Sequence, residues 1–441
     1  SMNFRIRKSL LAVAVSGLLA APIAHATNGY FMPGYSTKNK GLAGAGAALS
    51  QDAMAAAVNP AGMAFVERRV DLGLSIFSPS PRSYTVTGNP SGFPGTFGLA
   101  PGEVESENDY FLLPHGAYNH VLNDTTTLGI AVYGNGGMNT EYKPTASNPA
   151  GTFGAGTAGI NLEQMFFNFN GSYKLNPKHA LGASLIIVGQ RFRAQGLENF
   201  APFSTDPTKL SGNINSVAWG YGAKIGYQGE VAEGVRVGIS YQSKMSMDEF
   251  SEYAGLFAEA GDFDIPSTYT LGVSFDVGKT GVIVADYQRI NYTDVASISN
   301  PISNLTGTGN PPSGGCAQGV IANCLGGSNG AGFGWKDIGI FKLGYQWNAA
   351  NMDWRVGYSH SDQPIPESEV LFNILAPAVN QDHISFGLTR EVGKTQEFNF
   401  SLIHALDNDV TGPNVLEAPG QQTVKLEMSQ WDIQAGWAWK F

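Results

Sequence analysis

The sequence predicts an all-β transmembrane barrel of about fourteen antiparallel strands with a small N-terminal helical hatch, or plug, inside the lumen. Three observations predict it: strict two-residue alternation at the carboxyl terminus, a composition suited to twisted sheet, and an export leader. From Trp431 the odd positions are Trp431, Ile433, Ala435, Trp437, Trp439 and Phe441, and the even ones are Asp432, Gln434, Gly436, Ala438 and Lys440. One face of such a strand suits lipid and the other suits water or protein. A bilayer tolerates no unpaired backbone, so the strand must pair on both sides and the sheet must close on itself.

The composition agrees. Among 441 residues there are 56 Gly, aromatics reach 11% and only 14% are charged. That balance favours many strands, with Gly where curvature or close packing leaves no room for a side chain. A formal charge of −10 argues against nucleic acid as a partner. Arg5, Arg7 and Lys8 precede an apolar run from Leu10 to Ala21, followed by Pro22 and His25-Ala26, which is the pattern of a signal peptide over 1–26. The run is too short to span a bilayer as a helix, and nothing downstream reads as a transmembrane helix. Export with alternating strands points to the outer membrane of a Gram-negative cell, and the mature chain is expected to begin near Thr27.

Residues 27–69 do not alternate and are expected to form the hatch. They are rich in Gly and Ala, with helical stretches expected at Leu42 to Leu49 and Asp52 to Val58, broken at Asn59-Pro60. Too few large apolar residues are present for a self-standing core, so a plug packed against a wall is the natural reading; a periplasmic extension is the alternative.

The barrel is expected over 70–441. Val70, Leu72, Leu74 and Ile76 share one face, and Tyr269, Leu271, Val273, Phe275 and Val277 alternate with Thr268, Thr270, Gly272, Ser274 and Asp276. Further runs bring the total to about fourteen, an even number as closure of an antiparallel barrel requires. Short turns such as Asn123-Asp124, Asn176-Pro177 and Gly393-Lys394 alternate with long inserts, so the short ones belong to the periplasmic side and the long ones outside.

Asn59-Pro60-Ala61-Gly62-Met63, at the end of a Gly/Ala-rich segment, resembles the hatch motif of the FadL-type outer-membrane transporters (FadL/TodX-like). YGNGGMNTEY from Tyr133 to Tyr142, IPSTYTLGVSF from Ile265 to Phe275 and WRVGYSHSDQPIP from Trp354 to Pro366 look like that family's strand and loop motifs, so the likeness covers nearly the whole mature chain. The resemblance implies a passive channel for hydrophobic molecules. Long-chain fatty acids are the first expectation and monoaromatic or alkane hydrocarbons the alternative. Cargo would bind near the extracellular mouth and leave sideways through a kinked third strand. It further implies barrel-assembly machinery, outer-membrane lipid and lipopolysaccharide as partners, a monomeric state and no cofactor.

Several residues bear on that implication. Gly134, Asn135, Gly136 and Gly137 follow the strand Leu128, Ile130, Val132, and clustered Gly marks a bulge or bend; a strand end running into a loop is the alternative. Valine at Gly136 and Gly137 is expected to favour regular pairing and narrow any opening. Lys336, Lys342 and Arg355 fall on lumen-facing parity, where a cation would receive a fatty carboxylate. Lys336 lies where the family carries a head-group contact, and Arg191 or Arg193 lies in the region of another. Pairing of the lumen cations with acids such as Asp286 or Asp432 is the competing reading. Arg191 and Arg193 share parity with Leu181, Leu185 and Ile187, so either they sit above the lipid band or the strand changes face at Gly189.

Cys316 and Cys324 lie in a Gly/Ser/Asn/Pro-rich insert and are expected to form a disulfide in an oxidising compartment. Two cysteines with no nearby His do not fill a zinc shell, so no metal is expected. The chain carries neither GxSxG nor HExxH, which weighs against the rival from another class, an outer-membrane lipid-acting enzyme. Gly154, Gly156 and Gly159 match GxGxxG without a βαβ context.

Overall fold

The structure, a computed structural model, describes residues 28–441 apart from position 213. The signal peptide expected over 1–26 lies outside the described residues. Fourteen wall strands, numbered here in chain order, form the barrel: β1 Arg69–Ser78, β2 Phe111–Val121, β3 Thr126–Asn139, β4 Gly159–Asn176, β5 His179–Gln195, β6 Ser216–Ala232, β7 Val235–Gln242, β8 Thr268–Val277, β9 Gly281–Ile290, β10 Ile338–Ala349, β11 Met352–Ser361, β12 Asp382–Val392, β13 Gln396–Pro413 and β14 Thr423–Lys440. Each pairs antiparallel with the next, and β14 returns to β1 from Arg69↔Lys440 to Ser78↔Trp431, closing the wall.

Alternation decides which way each side chain points. Leu72, Leu74 and Ile76 of β1 and Trp431, Ile433 and Trp439 of β14 are exposed to the lipid side, while Ser75, Asp432 and Gln434 between them are buried. Turns at one end are short, as at Asn123 and Gly393, and long loops gather at the other. There β4, β13 and β14, each 18 residues, carry the wall beyond the lipid band. Between β1 and β2 a hairpin of Arg82–Thr87 and Gly102–Glu105 adds to the extended part of β14, with Met428 opposite Arg82.

Residues 28–68 fill the space within this wall. The α-helix there is Thr37–Gly41, followed by 3-10 turns at Ala53–Ala57 and Pro60–Phe65. The helix expected over Leu42 to Leu49 does not form: Ala43 and Gly44 take φ of 53° and 85°, which turn the chain where a helix would have run on. Asn59 caps the second turn by accepting from the Ala61 amide at 3.1 Å, and its Nδ2 donates to Ala47 O at 2.8 Å and to Tyr227 O of β6 at 2.9 Å. Pro60 opens that turn where no amide donor is needed, Ala61 and Gly62 are buried beside it, and Met63 packs with Ala55, Ala56 and Val66.

The plug is tied to opposite walls. Lys40 meets Asp432 of β14 at 2.6 Å and Lys38 meets Glu397 of β13 at 2.9 Å. Across the lumen Asp286 of β9 accepts from the amides of Gly46 and Ala47 at 2.9 and 3.0 Å. Close approach is possible because the wall offers glycine: a Cβ on Gly238 of β7 would stand 1.8 Å from Ala47 O. Asp432 thus binds a cation of the hatch, while Asp286 binds hatch amides and also stands directly opposite the wall cation Lys342 of β10.

Candidate functional site

The long loops fold over the mouth and bring their aromatics together. Phe192 of β5 packs on Phe257 with ring centroids 4.6 Å apart, and Phe200 meets Phe153 edge-on at 5.4 Å and Phe372 at 5.6 Å. These rings, with Leu325 and Phe333 of the long insert after β9, enclose a cavity of about 50 Å3. Among the described residues lining it, Ser297 alone has a polar side chain. The insert is held in place by its backbone: Leu325 N donates to Phe203 O and Thr205 N to Leu325 O, both at 2.9 Å. Cys316 and Cys324 are bridged within the same insert.

Leu375 is shared between this cavity and a second, of about 10 Å3, which Phe77, Arg82, Met138, Asn139 and Met428 also line. Phe77 in turn belongs to an apolar cluster with Met32 of the hatch, Phe111 and Leu113 of β2, and Met165 of β4; Val132 and Phe167 pack against it. Two residues thus link three apolar environments in series.

That cluster stands where the wall is incomplete. The β2–β3 ladder runs from Val121↔Thr127 only as far as Gly116↔Val132. Beyond it, Phe111 to His115 remain paired with β1 on their other edge. β3 continues to Asn139 in register with β4, with a bulge between Gly134 and Gly136 that leaves Asn135 out of the ladder. Asn135 instead accepts from Tyr35 Oη at 3.2 Å and donates to Gln164 Oε1 at 3.1 Å. The freed edge of β3 is taken by the hatch: Met32 N donates to Asn135 O and Gly137 N to Tyr30 O, both at 3.0 Å. Gly134 to Gly137 therefore lie inside a continuous, bulged strand.

Arg191, Arg193, Lys336 and Lys342, singled out as cargo contacts, are not brought together. Arg191 keeps the outward parity of Leu181, Leu185 and Ile187, with Gln190 and Phe192 buried on either side of it. Its Nε and Nη2 donate to Glu163 Oε2 at 3.0 and 2.6 Å. Arg193 follows on the same face, and β5 does not change face at Gly189. Lys336 is exposed, with its amide bonded to Pro364 O at 2.8 Å. Lys342 is buried beneath the hatch, where its Nζ donates to Pro33 O at 3.2 Å. None of the four lines the apolar cavity at the mouth.

Leu375, Phe77 and Met165 had no signal of their own in the sequence. Each is one apolar residue among many, and its position depends on pairings between distant strands.

The model of a family described as outer membrane protein transport protein (OMPP1/FadL/TodX) matches residues 17–435. Outer membrane protein P1 of Haemophilus influenzae is similar to this chain, 26% identical over 301 residues; the chain spans 61% of that relative's length, and the match covers 58% of the chain. The fold resembles the P. putida toluene transporter TodX, with a TM-score of 0.64 at 16% identity, covering 93% of this chain and 99% of that one. It also resembles a Pseudomonas aeruginosa FadL homologue, with a TM-score of 0.66 at 16% identity, covering 94% of this chain and all of the other. A closed barrel of fourteen strands, plugged from its amino-terminal side and matched along nearly all its length, belongs to the OMPP1/FadL/TodX family of outer-membrane transport proteins.

Proposed function

We propose that the protein is a passive channel for hydrophobic molecules, which enter the aromatic cavity at the mouth and leave sideways between β2 and β3. The observation that carries this is the series of apolar environments joined by Leu375 and Phe77, ending at the place where the β2–β3 ladder stops. The lateral route keeps cargo out of the polar lumen, where each methylene exposed to water costs about 0.8 kcal/mol. The axial route is occupied by a hatch held to both walls through Asp432 and Asp286. Dilution of cargo into the membrane supplies the gradient, since the chain has no nucleotide or ion-coupling motif.

Long-chain fatty acids are the first cargo class, with a tail that is longer than the mouth cavity holds and runs on into the apolar environments beyond Leu375. Monoaromatic or alkane hydrocarbons are the second reading, favoured by a lining in which Ser297 alone, among the described residues, is polar. Binding of oleate and of its methyl ester to the purified barrel separates them: a carboxylate channel prefers the acid, and a hydrocarbon channel does not. Uptake by cells with a de-energised inner membrane tests passivity, and strict dependence on an energised partner would contradict it.

A further inference from the structure

We propose that a small monovalent inorganic anion of the size of chloride sits between Lys224 of β6 and Lys342 of β10, in the cavity between hatch and wall, and fastens the hatch there. This does not depend on the channel reading, and the ion is not cargo.

The cavity lies between Pro33 and Gly44 of the hatch and Lys224, Thr268, Thr270 and Lys342 of the wall. Its volume of about 20 Å3 exceeds the roughly 10–15 Å3 that one water needs, so it accepts an ion of that order and no acyl chain. Both lysines are buried, at 5% and 7% exposure. Lys342 Nζ donates to Pro33 O at 3.2 Å and Lys224 Nζ to Ala57 O, so each ammonium gives one of its three donors to a hatch carbonyl. The hatch's own lysines are paired, Lys38 with Glu397 and Lys40 with Asp432. Among the described residues Lys224 and Lys342 form no ion pair.

Asp286 lines the same cavity and stands opposite Lys342 in the β9–β10 ladder. Its Oδ2 is taken by the amides of Gly46 and Ala47, and its Oδ1 is buried without a partner. Two ammonium groups facing one carboxylate leave a single positive charge enclosed between hatch and wall. A buried charge without a counter-ion is costly, so a monovalent anion suits the charge of the site as well as its size. Donors for it are at hand. Thr268 and Thr270 bring hydroxyls, and Gln242, opposite Lys224 in one ladder and Thr268 in the other, has a buried Nε2 with no partner.

The ion would hold both lysines in place and with them the two hatch carbonyls, at Pro33 and Ala57, that they bind. Two residues after Pro33, Tyr35 donates to Asn135 in the bulge of β3, so the anchored segment runs directly to the gap in the wall.

Two measurements test this. Crystals of the wild type grown with bromide in place of chloride should show an anomalous peak between the Nζ atoms of Lys224 and Lys342. Exchange of gluconate, too large for the cavity, for chloride at constant ionic strength should raise the urea midpoint of heat-modifiability along a saturating curve. Lys224→Met and Lys342→Met should each lose the saturating part. A water without anomalous signal at the site overturns the proposal. A bromide peak with no saturating rise marks an adventitious ion only, and removes the anchoring role. A saturating rise that survives in both variants places the ion elsewhere and overturns the site. If neither variant folds, the bromide map and the chloride curve of the wild type decide.

Discussion

Gly137 N donates to Tyr30 O at 3.0 Å, so the hatch occupies the edge of β3 that β2 gives up. The gap in the wall and the seat of the plug are thus two consequences of one bulge. A Cβ on Gly136 would stand 2.0 Å from Tyr30 O. Valine at Gly136 therefore cannot simply restore β2–β3 pairing, as the glycine run alone suggests, because it strikes the hatch first.

Gly136→Ala should displace residues 28–32 while the wall stays closed elsewhere. Limited proteolysis of the folded barrel should cut the variant within this segment and spare the wild type. Equal resistance would mean that the Tyr30 contact yields without consequence.

Lys40 and Asp432 are both buried, so removing one charge strands the other. Lys40→Met or Asp432→Leu should each destabilise the plugged barrel by about 3–5 kcal/mol, and the double variant by less than the sum. Urea midpoints of heat-modifiability measure this. Additive losses would show that the two do not act as a pair.

Asp52 of the hatch is pushed up to about 6 by burial and by Asp71, with Arg69 and Lys38 opposing. A carboxyl raised on folding contributes stability below its unfolded value of about 3.9, and that contribution is lost as pH rises through 6. Asp52→Asn should therefore gain stability over the wild type at pH above 6 and show little gain near pH 4, by the same urea midpoints. An equal gain at both pH values would assign the effect to something other than this carboxyl.

Cys316 and Cys324 should be unreactive to thiol reagents in unfolded, non-reduced protein. Their bridge closes a short loop over the insert that carries Leu325, and its loss should cost about 2–3 kcal/mol of local order. Labelling of either cysteine without reduction would show that the bridge is absent.

Side-chain parity made the wall legible in advance: Trp431 and Asp432 fall on opposite faces from alternation alone, and Arg191 follows Leu181 outward for the same reason. The glycines that let the hatch touch the wall were visible as composition, but the pairing of Gly238 with Ala47 O depends on a fold that brings them across the lumen. Leu42 to Leu49 has helix-forming residues yet turns at Ala43 and Gly44, and glycine at 44 and 46 weakens the local helical preference. Arg82 opens a short hairpin strand and Leu375 sits in a loop, neither in a long alternating run, and their meeting follows from tertiary contacts alone.

Lateral passage is tested most directly at Leu113, which is 5% exposed in the cluster at the end of the β2–β3 ladder. A bulky maleimide on Leu113→Cys should block uptake of a radiolabelled hydrophobic probe in cells whose barrels remain folded. The same reagent on Ile433→Cys, on the lipid face of β14, should leave uptake unchanged. Uptake at the original rate through barrels fully modified at position 113 would contradict release between β2 and β3.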